Sequence, residues 1–147
     1  MKINIFDALK QPSQIEKQEI VNFLFEHLEQ YGDAKPHILK AVEYAVKEKA
    51  SFGGFILVAL DKNEIIGAVV INSTGMGGYI PENILVYIAT HKEHRGEGIG
   101  KQLMEKAISY SKGDIALHVE KDNPAKFLYE KYGFTNPYLE MRLKKNA

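Results

Sequence analysis

The sequence predicts an α/β chain built on a mixed, mostly antiparallel central sheet with helices on both faces. Three observations predict it. Two helical hydrophobic periods come early, over residues 16–46. Three apolar, strand-like runs follow with no helix between them. The second half then alternates strand, helix, strand, helix, which calls for helices layered on a sheet.

Each element has its own signal. Residues 2–7 form a first strand. Ser13 and Glu16 make a capping box after Pro12, and Ile20, Phe23, Leu24, Leu28 and Tyr31 follow at helical spacing. Gly32 and Asp33 break that helix. A second starts at about Pro36, with Ile38, Leu39, Val42 and Val46 on one side. Residues 55–60 and 65–71 are apolar runs joined by Asp61, Lys62, Asn63 and Glu64, which reads as a hairpin of two buried strands. Gly75, Met76, Gly77, Gly78 and Pro81 make a loop, and residues 84–90 the next strand. A helix carrying Ile99, Leu103, Met104, Ala107 and Ile108 follows, then a strand over 115–119. Asn123 and Pro124 open a short helix bearing Ala125, Leu128, Tyr129 and Tyr132, which stops at Gly133. Residues 138–143 alternate weakly, and a last strand is expected there.

Composition narrows the classes. The 147 residues are 45% apolar and 26% charged, the balance of one globular domain. Nineteen basic residues match nineteen acidic ones, which argues against a nucleic-acid partner. The absence of cysteine removes disulfides, thiolate metal ligands and a cysteine-bound intermediate. No apolar run approaches the roughly 18 residues that span a bilayer. Asp7 interrupts the start too early for a signal peptide. A cytoplasmic protein without a membrane partner is expected.

The stretch HRGEGIGK, residues 94–101, stands between a strand and a helix. Spaced glycines at a helix start let an anion reach backbone N–H groups and the positive end of the helix dipole. A P-loop would need a glycine at Arg95 and a hydroxyl at Gln102, so it fails twice. A dinucleotide fingerprint matches Gly96 and Gly98, but its third glycine falls on Lys101. Glu120 stands near the place of a ribose-binding acid, which keeps a dinucleotide-binding oxidoreductase among the readings. The pattern [R/Q]-x-x-G-x-[G/A] is met in full by Arg95, Gly98 and Gly100. Downstream, Ala125, Tyr129, Gly133 and Phe134 fit N-x-x-A-x-x-x-Y-x-x-x-G-F, with Asp122 in the asparagine's place and Asn123 one position later.

These two motifs, over about residues 84–134, resemble the GCN5-related N-acetyltransferase (GNAT) superfamily. The resemblance implies an N-acetyltransferase that uses acetyl-CoA as cosubstrate, an amine acceptor and direct attack in a ternary complex. It implies that the pyrophosphate meets Arg95, Gly96, Glu97, Gly98, Ile99, Gly100 and Lys101, with Asn123 also at the cofactor. It implies that pantetheine pairs with the backbone of Ile88, Ala89 and Thr90 like an added strand. Tyr129 is then the candidate acid for the departing thiolate, and Glu82, at the strand entry, the candidate base. Glu26 and His27 are lesser candidates. Residues 26–38 and 74–83 are expected to shape the acceptor pocket. His91 and His94 read as solvated turn residues rather than metal ligands. A non-catalytic acyl-CoA-sensing module is the alternative within this fold, and a homodimer is one assembly the resemblance implies.

Overall fold

A computed structural model of the chain describes residues 1–146. Five strands form one sheet in sequence order: β1 (Lys2–Phe6), β2 (Gly54–Asp61), β3 (Glu64–Ser73), β4 (Asn83–Thr90) and β5 (Ile115–Ala116). The first three junctions are antiparallel and the last is parallel. Four helices accompany them: α1 (Gln14–Leu28), α2 (Lys35–Ala45), α3 (Ile99–Tyr110) and α4 (Ala125–Lys131). The expected mixed, mostly antiparallel sheet is the one observed, and a doubly wound parallel sheet is not.

Local signals set the elements. Ser13 Oγ accepts from the Glu16 amide at 3.1 Å while Glu16 Oε1 accepts from the Ser13 amide at 2.9 Å, so the capping box starts α1. Side chains alternate across the strands with a period of two. Ile56, Val58, Ala68 and Val70 face Ile20, Leu24, Ile38 and Val42 of α1 and α2. Leu57, Ala59, Val69 and Ile71 face the opposite layer, with Leu103, Met104 and Ala107 of α3. β2 and β3 read as unbroken apolar runs because both of their faces are covered.

β4 departs from regularity. Val70 pairs with Tyr87 and Ile71 with Leu85, so Val86 is an extra residue, a β-bulge. Val86 and Tyr87 consequently both turn to the α1 and α2 layer, while Leu85 and Ile88 face α3 and α4. β4 and β5 pair only through Asn83↔Ile115 and Ile84↔Ala116. Beyond those pairs the two chains part, leaving a wedge.

Two expectations are corrected. The strand expected over 115–119 is two residues long. The strand expected over 138–143 does not form. No helix or strand follows Lys131 among the described residues, and Tyr138, Leu139, Met141 and Leu143 are 85–90% exposed. Alternation supplies a face to bury, but a strand also needs an edge in register. The short β5 does not supply one here.

α3 lies close over the sheet at Gly67, which pairs with Thr90. A Cβ added at Gly67 would stand 2.7 Å from Leu103 Cδ1 and 2.9 Å from Ile99 Cγ2. Leu103 is fully buried and Ile99 nearly so, and neither has room to retreat. Gly67→Ala is expected to cost about 1–3 kcal/mol of stability through overpacking. The measurement is the urea midpoint at unchanged m-value. A variant as stable as the parent would show that α3 is not seated by this contact.

Candidate active site

Most of the expected site residues fall along the wedge and on the loop that precedes α3. His91 Nδ1 accepts from the Glu93 amide at 3.1 Å and starts a 3-10 turn over Lys92–His94. Arg95 is extended. Gly96 and Gly98 then take left-handed φ values of 85° and 81°. A Cβ at either would meet nothing within 4 Å, so backbone conformation rather than crowding selects glycine there. Gly98 is the N-cap of α3, and no side chain caps that helix. Its first N–H groups face outward with the positive dipole end, as an anion site requires.

Gly100, the second residue of α3, borders the wedge mouth. A Cβ there would stand 3.5 Å from Thr90 Oγ1 and 3.7 Å from Leu128 Cδ2, in ordinary contact with the end of β4 and with α4. The edge of β4 facing the wedge has no strand partner beyond Ile84 among the described residues. Along that edge Ile88 and Thr90 are half-buried and Ala89 is buried.

The other expected cofactor residues divide. Ile99 is core. The Glu97 carboxylate lies 3.1 Å from His94 Nδ1. Lys101 is exposed, and its carbonyl accepts from the Tyr132 hydroxyl at 3.3 Å. Asn123 Oδ1 accepts from the Ala125 amide at 2.9 Å, which commits that oxygen to the start of α4. Arg95 turns away from the glycines. It donates to Glu29 Oε1 at 2.7 Å and to the His27 carbonyl at 3.2 Å. That pairing holds the Glu29 carboxyl below its ordinary range.

Tyr129 is 7% exposed in the layer under α3 and α4, with Phe134 edge-on at 5.9 Å. Burial pushes its phenol up to about 12. Buried tyrosine hydroxyls ordinarily find a partner. Among the described residues this one has no hydrogen bond, and no fully buried side-chain polar atom lacks a partner. The hydroxyl therefore keeps access to solvent.

Glu82 stands at the other end of β4. Its Oε1 accepts from the Asp114 amide at 3.2 Å, joining the starts of β4 and β5 at the closed end of the wedge. It lines an open groove of about 520 Å³ with Phe52, Met76, Tyr110 and Lys112. The structure thus brings together the glycine loop, the end of β4 and α4, and sets Glu82 apart from the loop.

The face toward α1 and α2 holds groups that sequence reasoning passed over or misread. Tyr87 donates to Asp33 Oδ2 at 2.6 Å, and burial first, then that carboxylate, raises its phenol. Asp33 read only as a helix break. Tyr31 donates to the Asp122 carbonyl at 3.1 Å, bridging to the loop before α4. Leu117 and Val119 belong to the α3 and α4 layer, and His118 between them is exposed. His91 and His94 are not simply solvated: their rings meet edge-on at 5.4 Å, and His91 stacks on buried His27 at 4.1 Å.

Comparison with known proteins agrees with this geometry. The model of an Acetyltransferase (GNAT) domain matches residues 52–136. N-alpha-acetyltransferase 30 of Schizosaccharomyces pombe is 34% identical over 85 residues, 54% of this chain and 57% of that protein. The chain thus spans little more than half the length of this curated relative. Among solved structures, aminoglycoside N-acetyltransferase AAC(6')-Iy in complex with CoA superposes with a TM-score of 0.70 at 14% identity, covering 99% of this chain and 96% of that one. A transcriptional regulator from Bacillus halodurans C-125 superposes at 0.67 and 22% identity, covering 98% and 100%. These two likenesses concern the fold.

Gly100 gives the cleanest test of the wedge mouth, because its backbone is ordinary helix and a Cβ fits. Gly100→Val is expected to fold and to fill the gap between Thr90 and Leu128. Acetyl-CoA affinity, read by calorimetry, should fall at least ~10-fold, or about 1.4 kcal/mol. Unchanged affinity in a folded variant would move the ligand elsewhere.

Proposed function

The chain belongs to the GNAT acetyltransferase family, and from that premise we propose that it transfers an acetyl group from acetyl-CoA to a primary amine by direct attack in a ternary complex. The observation that carries this reading is Tyr129, its ring buried and its hydroxyl open to solvent without a hydrogen-bond partner among the described residues, in the layer behind parting strands and an uncapped, glycine-led helix. A hydroxyl that meets solvent rather than a protein group is available to a bound ligand. A departing thiolate gains a hydrogen bond from it.

In the proposed reaction the pyrophosphate meets the N–H groups at residues 96–100, and pantetheine runs along the free edge of β4. Arg95 joins the pyrophosphate by exchanging Glu29 for a phosphate oxygen. The neutral amine attacks the thioester carbonyl, the C–S bond breaks, and CoA leaves as a thiolate. The amine proton goes to Glu82 or to water, and a proton ends on the CoA sulfur, so amine plus acetyl-CoA gives amide plus free thiol. With its phenol at about 12, Tyr129 stays protonated at neutral pH. Complete transfer to a thiolate of pKa ~8.5 would be uphill by roughly 5 kcal/mol. Its role is therefore to donate a hydrogen bond as negative charge grows on sulfur.

The name of the Schizosaccharomyces pombe relative supports placing an α-amino group first in an acceptor panel. A homodimer remains part of the proposal through family resemblance alone. Thiol release with that panel tests the reaction. Thermal stabilisation by acetyl-CoA tests the ligand, with about 2.7 kcal/mol expected at 100 times its dissociation constant. Stabilisation without thiol release for any amine would replace the enzyme by an acyl-CoA-sensing module.

Tyr129→Phe is expected to lower turnover while changing stability by no more than about 1–2 kcal/mol. Full turnover with a lower melting temperature would make Tyr129 a core residue only. Glu82→Gln keeps an oxygen for the Asp114 amide, so the joined strand starts survive and turnover reads the carboxylate alone. A fall of roughly 10²–10⁴-fold is expected for loss of a base. Turnover within a few-fold of the parent across the pH range would assign the proton to water.

A further inference from the structure

The glycine loop is held to the end of α1 by one histidine, used twice. The His27 side chain is 2% exposed. Its ring packs between Phe23 at 4.6 Å and His91 at 4.1 Å. Its Nδ1 accepts a hydrogen bond from the Lys92 amide at 3.2 Å. Its carbonyl accepts from Arg95 at 3.2 Å, and Glu29 accepts from the same guanidinium group. Glu29 reaches that position from a left-handed backbone, φ 54°, which a non-glycine residue adopts only when its surroundings impose it. His91 then caps the turn that begins at Lys92. Apart from Phe23, every one of these contacts is to the five residues before Gly96.

An imidazole nitrogen accepts a hydrogen bond only while it carries no proton. The Lys92 contact thus requires Nδ1 bare, and Nε2 carries the hydrogen, 3.7 Å from Glu26 Oε2. We propose that His27 is a positioning residue for the anion-binding loop: its neutral ring, through the Lys92 amide, holds residues 92–98 in the conformation that receives the acetyl-CoA pyrophosphate, and its protonation releases them. The ligand in this statement rests on the acetyl-CoA reading above.

The groups facing His27 set the direction of the pH effect. Glu26 and Glu29, at the end of α1, favour the imidazolium. His91, Lys92 and Arg95 oppose it from the loop, with His94 behind His91. Burial opposes it most, followed by His91, so the pKa of His27 is lowered. A histidine whose folded pKa is lowered binds fewer protons folded than unfolded, so stability rises with pH. The clasp is fully present above the ordinary histidine value near ~6.5 and is lost as pH falls through the lower folded value.

The test uses the full chain, with acetyl-CoA as the probe. Exchange of the Lys92 amide in the free protein and acetyl-CoA affinity by calorimetry are followed from about pH 7.5 to about pH 5, either side of the ordinary histidine value. In the parent, both protection and affinity should fall on acidification. His27→Ala should lose Lys92 protection and bind acetyl-CoA about 10-fold more weakly at the higher pH, with the loss in KM rather than kcat. His27→Asn keeps an acceptor near Nδ1 but cannot take the proton. It should restore protection and affinity and flatten the pH profile, and it carries the test if the alanine variant fails to fold. The same acid profile in His27→Asn as in the parent, or Lys92 exchange unmoved by His27→Ala, would overturn the inference. A parent that binds acetyl-CoA at no pH would instead overturn the ligand reading, while Lys92 exchange still judged the clasp.

Discussion

The parting of β4 from β5 is the constraint on which the site depends. Two residue pairs join these strands, and a bulge at Val86 follows within two positions. A bulge raises local twist and ends regular pairing. The consequence is an unpaired strand edge inside the fold rather than at its rim. Unpaired backbone groups favour a partner, and the extended, amide-rich ligand of the proposed function would supply one.

The start of α3 supplies the complementary charge site. Left-handed Gly98 turns the chain into the helix without a capping side chain, so the N–H groups at its start stay available. A serine or aspartate cap would stabilise the helix by about 1 kcal/mol and occupy one of those donors. Its absence leaves that stabilisation unused and the donors open. Close packing of α3 on Gly67 keeps the helix start beside the end of β4.

Arg95 and His27 show how this loop is held. The guanidinium group that the motif assigns to a phosphate is paired with Glu29. A surface pair of this kind is weak. It can be exchanged for a phosphate without a large barrier, while the buried His27 contact persists. One side of the loop is therefore committed to the fold and the other left free for the ligand.

Much of this was legible in the residues themselves. Helical and strand periods located the elements, the Ser13 and Glu16 pair located the start of α1, and the spacing of Arg95, Gly98, Gly100 and Tyr129 pointed to the site. Those features are local, and each is enforced within a turn or a strand. The missing strand at 138–143, the bulge at Val86, the Asp114 contact of Glu82 and the stacking of His27 on His91 were not legible. Each depends on which distant segment arrives opposite. Periodicity states which face of a segment wants burial, but it does not state the register or the partner. The sequence by itself determined the family, the layers and the glycine turn that leads into α3. Only the tertiary structure decided where β4 and β5 separate and which side chains hold the loop, because long-range pairing is settled by packing over the whole sheet rather than by any one stretch of chain.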